Sequence, residues 1–382
     1  MLHFSDTEFA DRRARTLAAM QRDGLDALLM FRQESMYWLT GYDTFGYCFF
    51  QCLVLTATGD LVLLTRSADL RQAQLTSIIR DIRIWVDRDG ADPAMELRAI
   101  LEEKRLAGRR LGVEWETHGL TAANGRRLER ALDGFAPLVD ASLLVTRLRF
   151  VKSKAELAFV ERAAALADDA LDAAERTTAA GVDEGTILAR MHDAVFEGGG
   201  DYPGNPFIVG SGAQALLCRY ASGRRKLDPV DQLTLEFAGV YRQYHACQMR
   251  TLIVGQPKDE QRAMFEAAAE ALLACEALLR PGQTMGEVYA AHAAALDRRG
   301  MGRHRLNACG YSLGAVYAPS WMDWPMFYEG NPTVITPGNV FFLHMIVMNS
   351  DAGLAMTLGR TSIVDEAGPR TLTRRPLTLV CC

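Results

Sequence analysis

No run of apolar residues in this 382-residue chain approaches the roughly 18 needed to cross a membrane. The opening MLHFSDTEFADRRARTL carries acids early, unlike a secretory leader. Positive charge is not in excess either: 42 Lys and Arg stand against 47 Asp and Glu, and the arginines are spread among the acids. That pattern offers no basic face for nucleic acid or an anionic membrane. The eight cysteines include no Cys-x-x-Cys pair and suggest neither a disulfide framework nor a zinc site. Most read as buried thiols, and the adjacent Cys381 and Cys382 receive no role. What is present, 49% hydrophobic and 23% charged residues over this length, fits a two-domain globular protein. A cytoplasmic location and small-molecule or protein partners are expected.

The first 150 residues alternate helical and strand patterns, as in an α/β domain with a mixed sheet. Ser5 precedes a helix-like run over Asp6 to Asp23 that closes at Gly24, LDALLMF reads as a buried strand, and CLVLTATGDLVLLT as a hairpin turning at Thr58-Gly59-Asp60. After Leu148, Ser153 and Glu156 form the capping box of a long helix, which marks a domain boundary: 1–149 and 150–382. The second domain reads as two helix pairs, each followed by strands, with long helices over Asp259 to Leu279 and Met285 to Arg299.

The most informative stretch is LEFAGVYRQYHACQMRTLIVG, Leu235 to Gly255. Together with RFVKSKAEL, LLRPGQTMGEV, GYSLG and ITPGNVFFLHM, in that order along the chain, it resembles the creatinase/prolidase family. MYWLTGYDTF, GGDY and GYSLGAVYAPSW are most similar to its non-peptidase members, of the ectoine hydrolase type. The resemblance implies an N-terminal creatinase-type α/β domain and a C-terminal pita-bread domain, an α/β (α+β) fold. It also implies a homodimer in which the N-terminal domain of one subunit completes the other's pocket, with Phe45, Tyr47 and Gln51 as contributors.

Two-metal members of the family hold their ions with two Asp, one His and two Glu, since divalent ions want several charged oxygens converging on one cavity. Matched to those motifs, this chain presents Glu236, Cys247, Tyr311, His344 and either Leu358 or Gly359. One carboxylate cannot replace four, so no metal and no other cofactor is expected. Metal-free members such as creatinase instead open a carbon–nitrogen bond in an amidine or guanidine, whose carbon is electrophilic enough for a positioned, deprotonated water. On that model His245 or His344 carries the proton and Glu236 holds the cationic end of the substrate. Arg219 or Arg360 takes a carboxylate as a planar fork. Tyr311 and Trp321 are further substrate contacts, Trp321 from the aromatic stretch YAPSWMDWPMFY. Cys247 reads as packing. Arg219 stands where these relatives carry their base histidine, a departure that leaves the base to His245 or His344. Two rival readings remain: a metal-dependent Xaa-Pro dipeptidase or aminopeptidase, and a non-catalytic pita-bread protein that binds a ligand or partner.

Overall fold

The computed structural model describes residues 2–220 and 223–382. The chain divides into two compact units, Met1–Arg149 and Phe150–Cys382. In the first lie helices α1 (Asp6–Arg22), α2 (Gln33–Thr40), α3 (Leu70–Thr76), α4 (Pro93–Glu103), α5 (Ala122–Leu132) and α6 (Leu144–Phe150), the last reaching into the boundary. Strands β1 (Ala27–Met30), β2 (Cys52–Thr56), β3 (Leu61–Arg66), β4 (Asp81–Trp85), β5 (Leu111–Val113) and β6 (Leu138–Asp140) form a sheet in the order β4-β3-β2-β1-β5-β6. Antiparallel β1–β2 and β2–β3 pairs sit beside parallel β3–β4, β1–β5 and β5–β6 pairs, so the sheet is mixed. Its inner strands are buried on both faces, and Phe31, Val54, Leu97 and Leu128 fill one side while Met30, Trp38, Leu53 and Val145 fill the other.

The second unit opens on α7 (Lys154–Thr177), where Ser153 and Glu156 complete the anticipated capping box. Then follow α8 (Glu184–Glu197), β7 (Ile208–Ser211), β8 (Asp231–Tyr241), β9 (Tyr244–Val254), α9 (Asp259–Ala277) and α10 (Met285–Arg298). Strands β10 (Gly310–Ser312), β11 (Asp323–Met326), β12 (Val340–Asn349), β13 (Leu354–Asp365), β14 (Gly368–Thr371) and β15 (Val380–Cys381) complete it. The sheet runs β11-β10-β12-β13-β9-β8-β7, with β14 beside β13 and β15 beside β9. Among the described residues no helix is long and apolar enough to cross a membrane.

Alternation along β12 shows how this sheet is used. Phe341, Leu343, Met345 and Val347 join a core built with Ala267, Ala271, Leu272, Val288 and Leu296 of α9 and α10. Phe342 and His344 therefore face the other way. On the hairpin side, α7 presents small residues, Ala163, Ala164 and Ala167, beneath β8 and β9. There Gly239 comes so close that a Cβ on it would lie 2.0 Å from the Ala163 carbonyl oxygen and 2.4 Å from the Ala167 nitrogen. Backbone cannot yield as a side-chain tip can, so Gly239→Ala is expected to cost about 3 kcal/mol or more, or to yield no folded protein. Chemical denaturation would show this as a lower midpoint, and an unchanged midpoint would mean that β8 and α7 are not packed this way.

Candidate active site

The β8–β9 hairpin sets Ala238 opposite Cys247 and Glu236 opposite Met249. With side chains alternating, Glu236 and Cys247, 11 residues apart along the hairpin, share one face. The next strands extend the row: Met249 pairs with Gly359 of β13, and Gly359 with His344 of β12. Tyr311 of β10 pairs with Phe342, one step along the same face. Register thus settles the earlier alternative: Gly359 stands in the row with Glu236 and His344, whereas Leu358 joins the helix-side core.

Glu236 is the chemically distinctive member. It is 6% exposed, and burial pushes its carboxyl up to about 7, against the opposing pull of the Tyr311 hydroxyl and the Arg219 charge. The Tyr311 hydroxyl donates to Glu236 Oε1 at 3.3 Å and accepts from the Trp321 indole Nε1 at 2.8 Å. Burial and the neighbouring carboxylate raise the tyrosine well above its usual range, so it stays a neutral donor. His344 packs its ring on Tyr311 and Phe342, with centroids 5.6 Å away in each case. Its Nδ1 is buried without a partner, and burial, then the charge of His292, lowers it to about 3. A cavity of about 340 Å³, lined by Asn205, Pro206, Ile208, Arg219, Pro319, Ser320 and Met322, opens beside this group. Ile208 pairs with Glu236 across β7–β8, and Asn205 Oδ1 accepts from the Trp321 backbone N–H at 3.1 Å. Two residues that line the cavity thus adjoin the strand position of Glu236 and the backbone of Trp321.

The structure brings Glu236, Tyr311, Trp321, His344 and Arg219 together. His245 is placed otherwise. Wholly buried, it accepts the Gly204 N–H at Nε2 (2.9 Å), and its Nδ1 lies 2.8 Å from the Gln243 carbonyl. With both nitrogens engaged and the ring held down to about 4 by burial, it has none left for a substrate proton. Arg360 is also removed from the carboxylate-binding role. It points to the helix side and pairs with Glu276 of α9 through two contacts of 2.6 and 2.7 Å. Gln51 is committed inside the first unit, its amide donating to Gln33 Oε1 at 2.9 Å and lying near the Tyr42 hydroxyl, and it is 1% exposed. It presents nothing to a ligand. Phe45 is 81% exposed, and Tyr47 is half-buried, with burial lifting its hydroxyl to about 12. Cys247 is packing: buried, its backbone bonded on both sides to the Thr361 hydroxyl, its thiol raised far from thiolate.

Two residues were not anticipated. Asn205 had a signal in the turn-rich GGDYPGNP segment, but its contact to Trp321 is made across 116 residues. His292 sits on the apolar face of α10 with both ring nitrogens buried and unpartnered, and burial lowers it to about 4. Such a residue reads in sequence as one more core position.

The donor set does not suit a pair of divalent ions. Among the described residues no three His, Cys, Asp or Glu side chains gather where an ion could sit. A Cβ at Gly359 would lie 2.9 Å from the Phe342 ring and 2.8 Å from the Leu343 carbonyl, so Phe342 occupies the place of any carboxylate there. Tyr311 spends its hydroxyl on Glu236 and Trp321.

Comparison with known proteins adds three findings. The model for metallopeptidase family M24 matches residues 158–366, and that for the creatinase/prolidase N-terminal domain matches residues 12–151. An uncharacterized hydrolase/peptidase of Sinorhizobium fredii is 28% identical over 392 residues, covering 100% of this chain and 99% of its own length. Ectoine hydrolase of Halomonas elongata is 26% identical over 395 residues, covering 99% and 98%. Among solved structures, a Xaa-Pro dipeptidase from Bacillus anthracis superposes with a TM-score of 0.85 at 21% identity, over 98% of this chain and 100% of that one. That last likeness concerns the fold.

Proposed function

The chain belongs to metallopeptidase family M24 and is a hydrolase of that family, and from that premise we propose that it opens a non-peptide carbon–nitrogen bond of a small amidine, guanidino or cyclic amino-acid-like compound without a metal. The observation that carries this reading is Glu236: a buried carboxyl raised to about 7, accepting from the Tyr311 hydroxyl that Trp321 in turn holds, beside a cavity with Arg219 at its rim. A group that titrates near neutrality in a cleft is what proton transfer requires.

The steps need this chain's residues alone. Arg219 takes the substrate's carboxylate, and the electrophilic carbon comes to rest over the row of Glu236 and His344. With Oε1 holding Tyr311, the second oxygen of ionised Glu236 takes a proton from water as the water oxygen bonds to that carbon. The proton then passes to the leaving nitrogen, and as the C–N bond breaks and the carbonyl forms, the added hydroxyl's own proton follows to that nitrogen by way of the same carboxylate, which ends ionised. His344, held neutral, orients the substrate by hydrogen bonding. Proton transfer thus moves from the histidines expected in sequence to Glu236. We further propose a homodimer in which Phe45 and Tyr47 of one subunit face the other's pocket, working in the reducing cytoplasm that eight free cysteines suit.

The test is turnover by protein dialysed against EDTA, assayed with ectoine, creatine, other guanidino acids and Xaa-Pro dipeptides. Product from the first three groups, with no gain on adding manganese, zinc or cobalt, is the expected result. Activity confined to the dipeptides and restored by stoichiometric metal would establish the peptidase instead. Binding without product from any of them would favour the non-catalytic reading.

A further inference from the structure

We propose that His245 is a positioning residue for Glu236, which it governs through a continuous chain of hydrogen bonds running along the cavity wall. This inference rests on the reading of Glu236 as the proton acceptor.

The chain begins at the tip of the β8–β9 hairpin. There Arg242 and Gln243 adopt left-handed conformations (φ 50° and 68°), which turn the Gln243 carbonyl towards the His245 ring. Because Nε2 accepts the Gly204 N–H, the ring proton must sit on Nδ1, which donates to Gln243; the tautomer is fixed by backbone alone. The His245 N–H donates to the Gly314 carbonyl at 3.2 Å, so the ring is carried on a strand tied on both sides.

What His245 holds is a loop that lacks regular structure of its own. Residues 201–207 lie outside helix and strand, yet they build one wall of the cavity through Asn205 and Pro206. Gly204 approaches the opposite wall so closely that a Cβ would lie 2.8 Å from the carbonyl carbon and oxygen of Ser320 and 2.9 Å from the Trp321 nitrogen. The next residue, Asn205, accepts the Trp321 N–H at 3.1 Å. From Trp321 the indole donates to Tyr311 at 2.8 Å and Tyr311 donates to Glu236 at 3.3 Å. Each link fixes the next, so a change at His245 reaches the carboxyl although the two residues share no contact. A loop pinned at one backbone N–H moves when that acceptor is lost, and the indole and phenol then lose their orientation.

The experiment uses the full-length, ligand-free protein, with nitrogen-labelled tryptophan and carbon-labelled glutamate read by NMR. His245→Leu removes the acceptor at similar volume, whereas His245→Gln keeps an acceptor for Gly204. The expected result is a displaced Trp321 indole resonance and a moved Glu236 titration midpoint in H245L, with both near wild type in H245Q. In turnover assays kcat falls at least about 10-fold in H245L, with KM within about twofold. Should H245L not fold, Asn205→Leu cuts the chain one link on and decides by the same two signals. Wild-type indole and carboxyl signals in whichever of these variants folds would overturn the proposal. Displaced signals in a protein that turns over none of the substrates would support the positioning link while overturning the hydrolase reading.

Discussion

Glu236→Gln is expected to abolish turnover while making the protein more stable at pH 8. The amide keeps an oxygen for the Tyr311 hydroxyl and nearly the same volume, so the wall of the site is retained. What it cannot do is take a proton from water, and a loss of about 10²- to 10⁴-fold in kcat is the usual size of that contribution. Wild-type activity should rise with pH through about 7, where Glu236 ionises. Stability has the opposite sign. The folded carboxyl holds its proton up to about 7, whereas in the unfolded chain it releases it near the ordinary 4.5. Its contribution is therefore fully present below 4.5 and is lost as pH rises through 7. The full shift corresponds to about 3 kcal/mol, of which Gln, a permanent mimic of the neutral form with its own amide hydrogens to satisfy, should recover about 1–3 kcal/mol above pH 7. Thermal melts of the two proteins should coincide near pH 4.5 and separate by pH 8, E236Q the higher. Retained turnover, or a lower melting temperature at pH 8, would remove Glu236 from the role of base.

How much of this site could be read from the sequence follows from which interactions are local. The 11-residue spacing between Glu236 and Cys247 spans one hairpin, and period-2 alternation alone puts both on one face. GYSLG and FFLHM lie in strands long or patterned enough to align, so Tyr311 and His344 were also legible. Arg360 could have been excluded by the same alternation: if Gly359 faces the cavity, its neighbour faces the helices and meets Glu276. The choice between Leu358 and Gly359 needed register across β9, β13 and β12, which no single strand contains. His245 is the instructive case. Its place in a site hairpin was visible, but its two partners are backbone groups, one of them 41 residues away, and backbone partners leave no mark in a side-chain pattern. Gln51 failed similarly, since its partners Gln33 and Tyr42 come from the α2 segment of the first unit and the residues just beyond it.

Acidification should then separate the two units. The second holds three buried imidazoles, His245 and His292 lowered to about 4 and His344 to about 3, each by burial first. An unfolded histidine protonates near 6.5, so the stability these rings contribute is present above that pH and is lost as pH falls through their folded values. By pH 4.5 each has cost about 2–3 kcal/mol, roughly 7 in all, while protonation of Glu236 returns about 3. The second unit is left weaker by about 4 kcal/mol than at pH 7. In the first unit the buried Glu114, which accepts from the Phe31 and Arg32 N–H groups and the Ser35 hydroxyl, is raised to about 7 by burial. It favours the folded state increasingly as pH falls to 4.5, by about 3 kcal/mol. The partly buried Asp81, lowered by Arg83, works against this, but its gain is lost only below the ordinary range for Asp. Hydrogen exchange read by mass spectrometry at pH 7 and, corrected for intrinsic rates, at pH 4.5 should therefore show residues 150–382 losing protection well before residues 2–149. Replacing His292, whose nitrogens have no partner, by Leu should narrow that gap. Equal loss of protection in both units, or earlier loss in the first, would mean that these three rings do not stay neutral in the fold.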